Sequence, residues 1–147
     1  YPQFETVYTH AWEGGHPDHD AAFIITHRWA DAQCPGSIIL SFGLYRATKT
    51  VLPYVVGIPM KGAPAQNESV GFRAALRYAG MLTRYRTQAK AMIGLAPFLL
   101  VNWFLCRREW VMLQSASVAT ARPHVGPLLY ESFNRMTYEE FKRRTAV

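Results

Sequence analysis

The sequence predicts an all-α membrane protein: a hairpin of two transmembrane helices with an extended N-terminal arm and a polar C-terminal helical tail. Half of the 147 residues are hydrophobic and 14% are aromatic, whereas only 18% are charged, below the usual quarter. Residues 91–106 carry no charge at all. Acidic residues concentrate in 1–33 and basic residues in 46–122, and a basic segment of this kind indicates a phosphate-bearing partner such as lipid headgroups.

The N-terminal arm comprises residues 1–36 and is predicted to be extended and rich in loops. Its first part, "YPQFETVYTHAWEGGHPDHD", is polar and contains two adjacent glycines and Pro17, which favour turns. Apolar residues recur at spacings of three and four over 21–33, which predicts a short helix there. The chain starts at Tyr1 rather than at methionine, so we expect a longer precursor.

The first transmembrane helix is predicted over 37–60, "SIILSFGLYRATKTVLPYVVGIPM". Arg46 and Lys49 interrupt it near its middle. A charge at the centre of a spanning helix costs about 2.5–3.5 kcal/mol on insertion scales. We therefore expect at least one of these two side chains to meet a carboxylate or a polar backbone group of a neighbouring subunit.

The connection, residues 61–90, is basic and is predicted to contain an amphipathic helix. Its arginines alternate with tyrosines, a pattern with two interpretations. The segment could bind nucleic acid through phosphate contacts and base stacking, or it could lie on an anionic membrane surface. The second interpretation is favoured because it follows directly if the next segment spans a bilayer.

The second transmembrane helix is predicted over 91–113, "AMIGLAPFLLVNWFLCRREWVML". Sixteen uncharged helical residues rise about 24 Å, against a hydrocarbon core of about 30 Å. The stems of Lys90 and Arg107 can extend this reach by snorkelling. Asn102, inside the run, is predicted to make a hydrogen bond between helices rather than to act in catalysis.

The sequence "CRREW" marks the predicted exit from the hydrocarbon. One of Arg107 and Arg108 is expected to bind lipid phosphate, with cardiolipin as the candidate, and the other a protein carboxylate. Glu109 is expected to accept a hydrogen bond from a basic group of a partner. Trp110 is expected to fix the depth of the helix in the membrane. The predicted lipid and partner contacts are therefore Arg46, Lys49, Asn102, Arg107, Arg108, Glu109 and Trp110.

The C-terminal tail, residues 114–147, follows the second helix. The sequence "RPHVGP" breaks any helix after position 121. Thr137 and Glu140 fit a capping box ahead of Phe141, so a last helix is predicted to begin just after Thr137.

One cluster of residues has the composition of a metal site. "HPDHD" places His16, Asp18, His19 and Asp20 together in the N-terminal arm. Imidazole and carboxylate groups are metal ligands, but the spacing fits no standard metal motif, so a solvated or docking loop is the favoured interpretation. The sequence contains no nucleophile elbow, dinucleotide or nucleotide fingerprint, or zinc-protease motif. It therefore predicts no catalytic residue, no cofactor and no metal.

The second half of the chain resembles a known family. The order of features in "RYRTQAKAMIGLAPFLLVNWFLCRREWVML" and "YESFNRMTYEEFKRR" is similar to that of the second member of the NDUFC-type accessory subunits of mitochondrial complex I. This resemblance covers about residues 37–143. It implies a non-catalytic subunit of the inner membrane that supports assembly and stability of the proton-pumping core. Its partners would be core membrane-arm subunits, other accessory subunits and cardiolipin, with no nucleic acid. The alternatives are a subunit of another respiratory complex or of ATP synthase, and a basic mitochondrial ribosomal or nucleic-acid-binding protein.

Overall fold

Four strands form one mixed sheet in the computed structural model, which describes residues 3–43, 64–84, 89–133 and 135–145. The sheet order is β1-β2-β4-β3. β1 and β2 are parallel, and the β2–β4 and β3–β4 pairs are antiparallel. The strands are β1 (Thr6–His10), β2 (Ile38–Phe42), β3 (Ala65–Ser69) and β4 (Arg108–Leu113).

Five α-helices accompany this sheet in the described residues. A π-helical turn (Asn102–Cys106) follows the third of them, and a 3₁₀ helix (Ala116–Thr120) follows β4. The prediction of an all-α membrane hairpin is therefore wrong, because the chain has an α/β fold. The helices are α1 (Pro17–Gln33), α2 (Phe72–Leu82), α3 (Ala89–Val101), α4 (Leu129–Ser132) and α5 (Tyr138–Thr145).

The start of the predicted first transmembrane helix is a strand. The sequence "IILSF" pairs along its whole length with β1, with Thr6 opposite Ile38 and His10 opposite Phe42. Two adjacent isoleucines favour the extended conformation because β-branched side chains pack well on a pleated surface. The rest of the predicted helix, including Arg46 and Lys49, lies outside the described residues.

The predicted second transmembrane helix is divided between three elements. α3 ends at Val101, and its thirteen residues rise only about 20 Å. After the π-helical turn, Arg107 takes a φ of 53°, which ends the helical path, and β4 follows. Within the described ranges, no helix combines the length and the apolar character needed to cross a bilayer. The prediction of a hairpin of two spanning helices is thus wrong, whereas the predicted location in the mitochondrial inner membrane stays a prediction.

The predicted arm and tail together build the core. α1 occupies nearly half of the arm and buries a stripe on one side, including Phe23 and Ile24. The last helix begins at Tyr138 as predicted, and the Glu140 backbone N–H donates to Thr137 Oγ1 at 3.2 Å, which confirms the cap. The core cluster consists of Trp12, Phe23, Ile24, Ala119, Leu128, Tyr130, Tyr138 and Phe141.

Candidate functional site

The candidate site lies where β1 leaves the sheet and turns into α1. β1 ends at His10, and residues 11–16 lead to the start of α1 at Pro17. The parallel neighbour β2 ends beside it at Phe42, whose carbonyl oxygen accepts from the Ala11 N–H at 2.9 Å. In α/β proteins ligands bind at the carboxyl ends of parallel strands, and this turn occupies that position.

Three imidazoles converge at this turn, and we call His10, His16 and His19 the histidine cluster. The rings of His10 and His19 are stacked, with centroids 3.9 Å apart and planes 6° from parallel. The His16 ring lies 5.4 Å from that of His19. Phe42, at the end of β2, contacts the His10 ring at 4.7 Å. The strand end and the first turn of α1 thus place three potential ligands or proton carriers side by side.

The Asp20 carboxylate fixes the backbone of the loop that carries His16. Its Oδ1 accepts hydrogen bonds from the backbone N–H groups of Glu13, at 3.3 Å, and Gly14, at 3.1 Å. Asp20 is completely buried, and burial raises its pKa to about 7 although the bonds from Gly14 and Glu13 act in the opposite direction. Asp20 therefore positions the loop.

Gly14 is required by the shape of this loop. It has a φ of 72°, in the left-handed region where other residues are strained. A Cβ built on Gly14 would lie 2.7 Å from Leu128 Cδ2 and 3.4 Å from His124 Nε2. The Gly14 carbonyl accepts from the Leu129 N–H at 2.9 Å. The C-terminal segment thus packs directly on the loop and brings a fourth imidazole beside it.

His16 caps the N-terminus of α1. Its Nδ1 accepts from the Asp18 backbone N–H at 3.2 Å. A neutral imidazole that accepts at Nδ1 carries its proton on Nε2. The Nε2–H group of His16 is then a hydrogen-bond donor at the positive end of the helix dipole, suited to stabilising negative charge.

The other two imidazoles of the cluster are held in their neutral forms. Burial, and after it the neighbouring His10 and His16, lower the pKa of His19 to about 4. Burial also lowers the pKa of His10. Among the described residues, no hydrogen-bond partner is found for the buried Nδ1 of His10. Neutral imidazole is the state in which histidine binds a metal ion.

A buried carboxylate lies at the same end of the sheet. Glu13 is 1% exposed, and its Oε2 would be 2.9 Å from a Cβ placed on Gly43, the residue that follows β2. The same Cβ would be 3.7 Å from Met112 Cε, on β4. Gly43 thus leaves the room that the Glu13 carboxylate occupies just beyond the end of β2.

The fit of this site to a metal ion is partial. In the part of the chain that the structure describes, no three His, Cys, Asp or Glu side chains are already arranged around one point. An ion bound by imidazole lies in the plane of the ring, so the stacked His10 and His19 cannot both bind one ion unless one ring turns. The donor set, imidazole with carboxylate, is the one that Zn²⁺ and other divalent transition metals prefer.

The residues predicted from the sequence to bind lipid and partners lie elsewhere. Arg107 Nε donates to the Val70 carbonyl at 3.3 Å, and Glu109 and Trp110 pair along β4 with Glu68 and Asn67 of β3. They belong to a sheet rather than to a helix end. Arg108 begins β4 and Asn102 begins the π-helical turn, whereas Arg46 and Lys49 lie outside the described residues.

Glu109 has an environment of its own on β4. Burial raises its pKa, a side-chain hydrogen bond with Trp103 lowers it, and Glu68 raises it further. A carboxylate opposite another acid in the sheet is a strained electrostatic arrangement. No contact links it to the histidine cluster in the described residues, so it is not part of the site.

Sequence reasoning found half of this site. His16 and His19 were singled out in "HPDHD", but the favoured interpretation was a solvated loop. His10 could be noted only as a histidine nearby in sequence, and Glu13 was not predicted, because "TVYTH" lacks the strict alternation that marks a strand. Comparison with family models, curated proteins and solved structures found no match for this chain.

Proposed function

We propose that the histidine cluster belongs to a divalent-metal-dependent hydrolytic centre. The observation that carries this proposal is the convergence of the His10, His16 and His19 rings at the carboxyl ends of two parallel strands. Two of these imidazoles are kept neutral by burial, which favours metal binding over ion pairing. This position is where α/β proteins bind their ligands.

The chemistry of the site follows from the groups that surround it. A divalent ion held by His19 would supply a water-derived nucleophile at neutral pH. His19 is the candidate ligand. The parallel ring of His10 would either hold the His19 ring in its orientation or, if the His10 ring rotated, become a second ligand. His16 donates from Nε2 to the negative charge that develops on the substrate. Glu13, buried beside Gly43, is the candidate general base, because Asp20, the other buried carboxylate of this turn, holds the loop backbone.

A metal titration tests the proposal. Purified protein is stripped with a chelator and titrated with Zn²⁺ by calorimetry. We expect one site per chain, weakened at least about tenfold in His19→Gln. His27→Gln is the matched control, because it replaces a histidine two helical turns further along α1. Equal affinity in wild type and His19→Gln, or equal losses in both variants, would exclude His19 as a ligand.

The accessory-subunit role inferred from the resemblance stays a prediction. Its structural premise, a hairpin of two spanning helices, is wrong for the described residues, and no family model supports it. The expectation of a chain without catalytic residues is the one that the present proposal replaces.

A further inference from the structure

The second surface of interest is formed by α2, α3 and the turn that follows them. Large apolar side chains project from it into solvent: Phe72 is 59% exposed, Ile93 73% and Leu105 76%. We call this the α2–α3 surface. Its exposed members are Phe72, Arg73, Leu76, Arg77, Met81, Arg84, Ile93 and Leu105.

Aromatic contacts join α2 to the π-helical turn that follows α3. The rings of Phe72 and Phe104 meet edge to face at 5.9 Å, and those of Tyr78 and Trp103 lie 5.3 Å apart. Tyr78 and Trp103 are only partly exposed. The two rings pack against each other with their planes tilted by 57°, and the exposed side chains around them are mostly aliphatic or basic.

The charged residues of this region are all basic. Between Glu68 and Glu109 the sequence contains no acidic residue and seven lysines and arginines. On α2, Arg73 and Arg77 are exposed, and so is Arg84 just after the end of the helix. The spacing of the first two places them one turn apart on one side of the helix, beside the exposed Leu76.

We propose that the α2–α3 surface binds an anionic lipid bilayer and lies in its interface without crossing it. Exposed aliphatic side chains next to arginines are the pattern of helices that insert an apolar face into the headgroup region. The arginines complement the negative surface potential of anionic lipids. A surface for nucleic acid would instead present free aromatic rings for stacking. Here the rings of α2 each pack against a ring of the π-helical turn, Phe72 against Phe104 and Tyr78 against Trp103.

Vesicle flotation with the full chain tests this surface. Vesicles of phosphatidylcholine alone are compared with vesicles that also contain phosphatidylglycerol, at low and high salt. We expect binding to the anionic vesicles that weakens with salt. The double variant Arg73→Gln, Arg77→Gln should bind roughly 30-fold more weakly, and Leu105→Gln about tenfold more weakly. Circular dichroism checks that each variant is folded.

Matched controls separate the surface from the net charge of the chain. Arg135 and Arg143 are exposed arginines near or on α5, and Ile25 is a 64% exposed apolar residue on α1. The double variant Arg135→Gln, Arg143→Gln and the variant Ile25→Gln should bind like wild type. Equal losses in the controls would overturn the proposal, and so would failure of wild type to float with anionic vesicles. Binding to a single-stranded oligonucleotide but not to vesicles would assign the surface to nucleic acid instead. A dimer that is stable in high salt and does not bind vesicles would assign it to a second copy of the chain.

Discussion

The carboxylate of Asp20 lies 3.1 Å from the backbone nitrogen of Gly14 and accepts its hydrogen bond inside the protein. The same oxygen also accepts from the Glu13 N–H, so one side chain of α1 fixes the loop before His16. Removing this acceptor leaves two buried donors unsatisfied, each at a cost of about 1–3 kcal/mol. We expect Asp20→Ala to lower the free energy of unfolding in urea by about 2–4 kcal/mol, and Asp20→Asn, which keeps one acceptor, by less. Equal effects of the two variants would show that the hydrogen bonds contribute little.

The loop conformation should depend on the absence of a side chain at Gly14. Gly14→Ala adds a methyl group at 2.7 Å from Leu128 in a left-handed conformation. The backbone strain alone costs about 1–2 kcal/mol, and the clash adds to it. Gly36→Ala is the matched control, because Gly36 has a φ of 94° with nothing within 4 Å of the added Cβ. Thermal unfolding should show a clearly lower Tm for Gly14→Ala than for Gly36→Ala.

The role of His16 can be divided into capping and chemistry. Asparagine also caps helices well, whereas alanine does not. His16→Asn should therefore keep the stability of wild type within about 0.5 kcal/mol, and His16→Ala should lose about 1 kcal/mol in urea unfolding. Since His16 is assigned as a donor rather than a ligand, both variants should keep the Zn²⁺ affinity of wild type. A loss of affinity in His16→Asn would make His16 a ligand.

The pH dependence of stability should reveal two opposing groups. The pKa of Asp20 is raised from 3.8 to about 7 on folding. The free energy of unfolding that protonated Asp20 contributes is therefore lost as the pH rises from about 4 to 7. The pKa of His19 is lowered from 6.5 to about 4, so protonation in the unfolded state makes stability fall as the pH drops over nearly the same window.

Single variants separate the pH dependence due to Asp20 from that due to His19. The free energy of unfolding is measured in urea with a chelator present, so that metal binding does not contribute. Relative to wild type, Asp20→Asn should gain stability with rising pH between about 4 and 7, because the opposing carboxyl is gone. His19→Gln should lose stability with rising pH relative to wild type between about 4 and 6.5. Parallel profiles for all three proteins would mean that neither group is perturbed by folding.

The errors of the sequence interpretation arise where the structure depends on residues that are distant in the sequence. A short apolar run fits a buried strand and a buried helix equally well by periodicity, and "IILSF" and "REWVML" form strands because each finds a partner strand far away in the sequence. No local pattern contains that information. The Thr137 cap was predictable because it depends on neighbours within one turn. The sequence places His16 and His19 close together. His10 lies beside them only because α1 packs next to the end of β1 in the fold.

X-ray absorption at the zinc edge tests the central claim most directly. For the Zn²⁺-loaded protein we predict imidazole scattering from at least one histidine, with Zn–N distances of about 2.0–2.1 Å, and one histidine fewer in His19→Gln. The His27→Gln control should give the spectrum of wild type. A spectrum with oxygen scatterers alone, or one that does not change in His19→Gln, would contradict a metal centre at the histidine cluster.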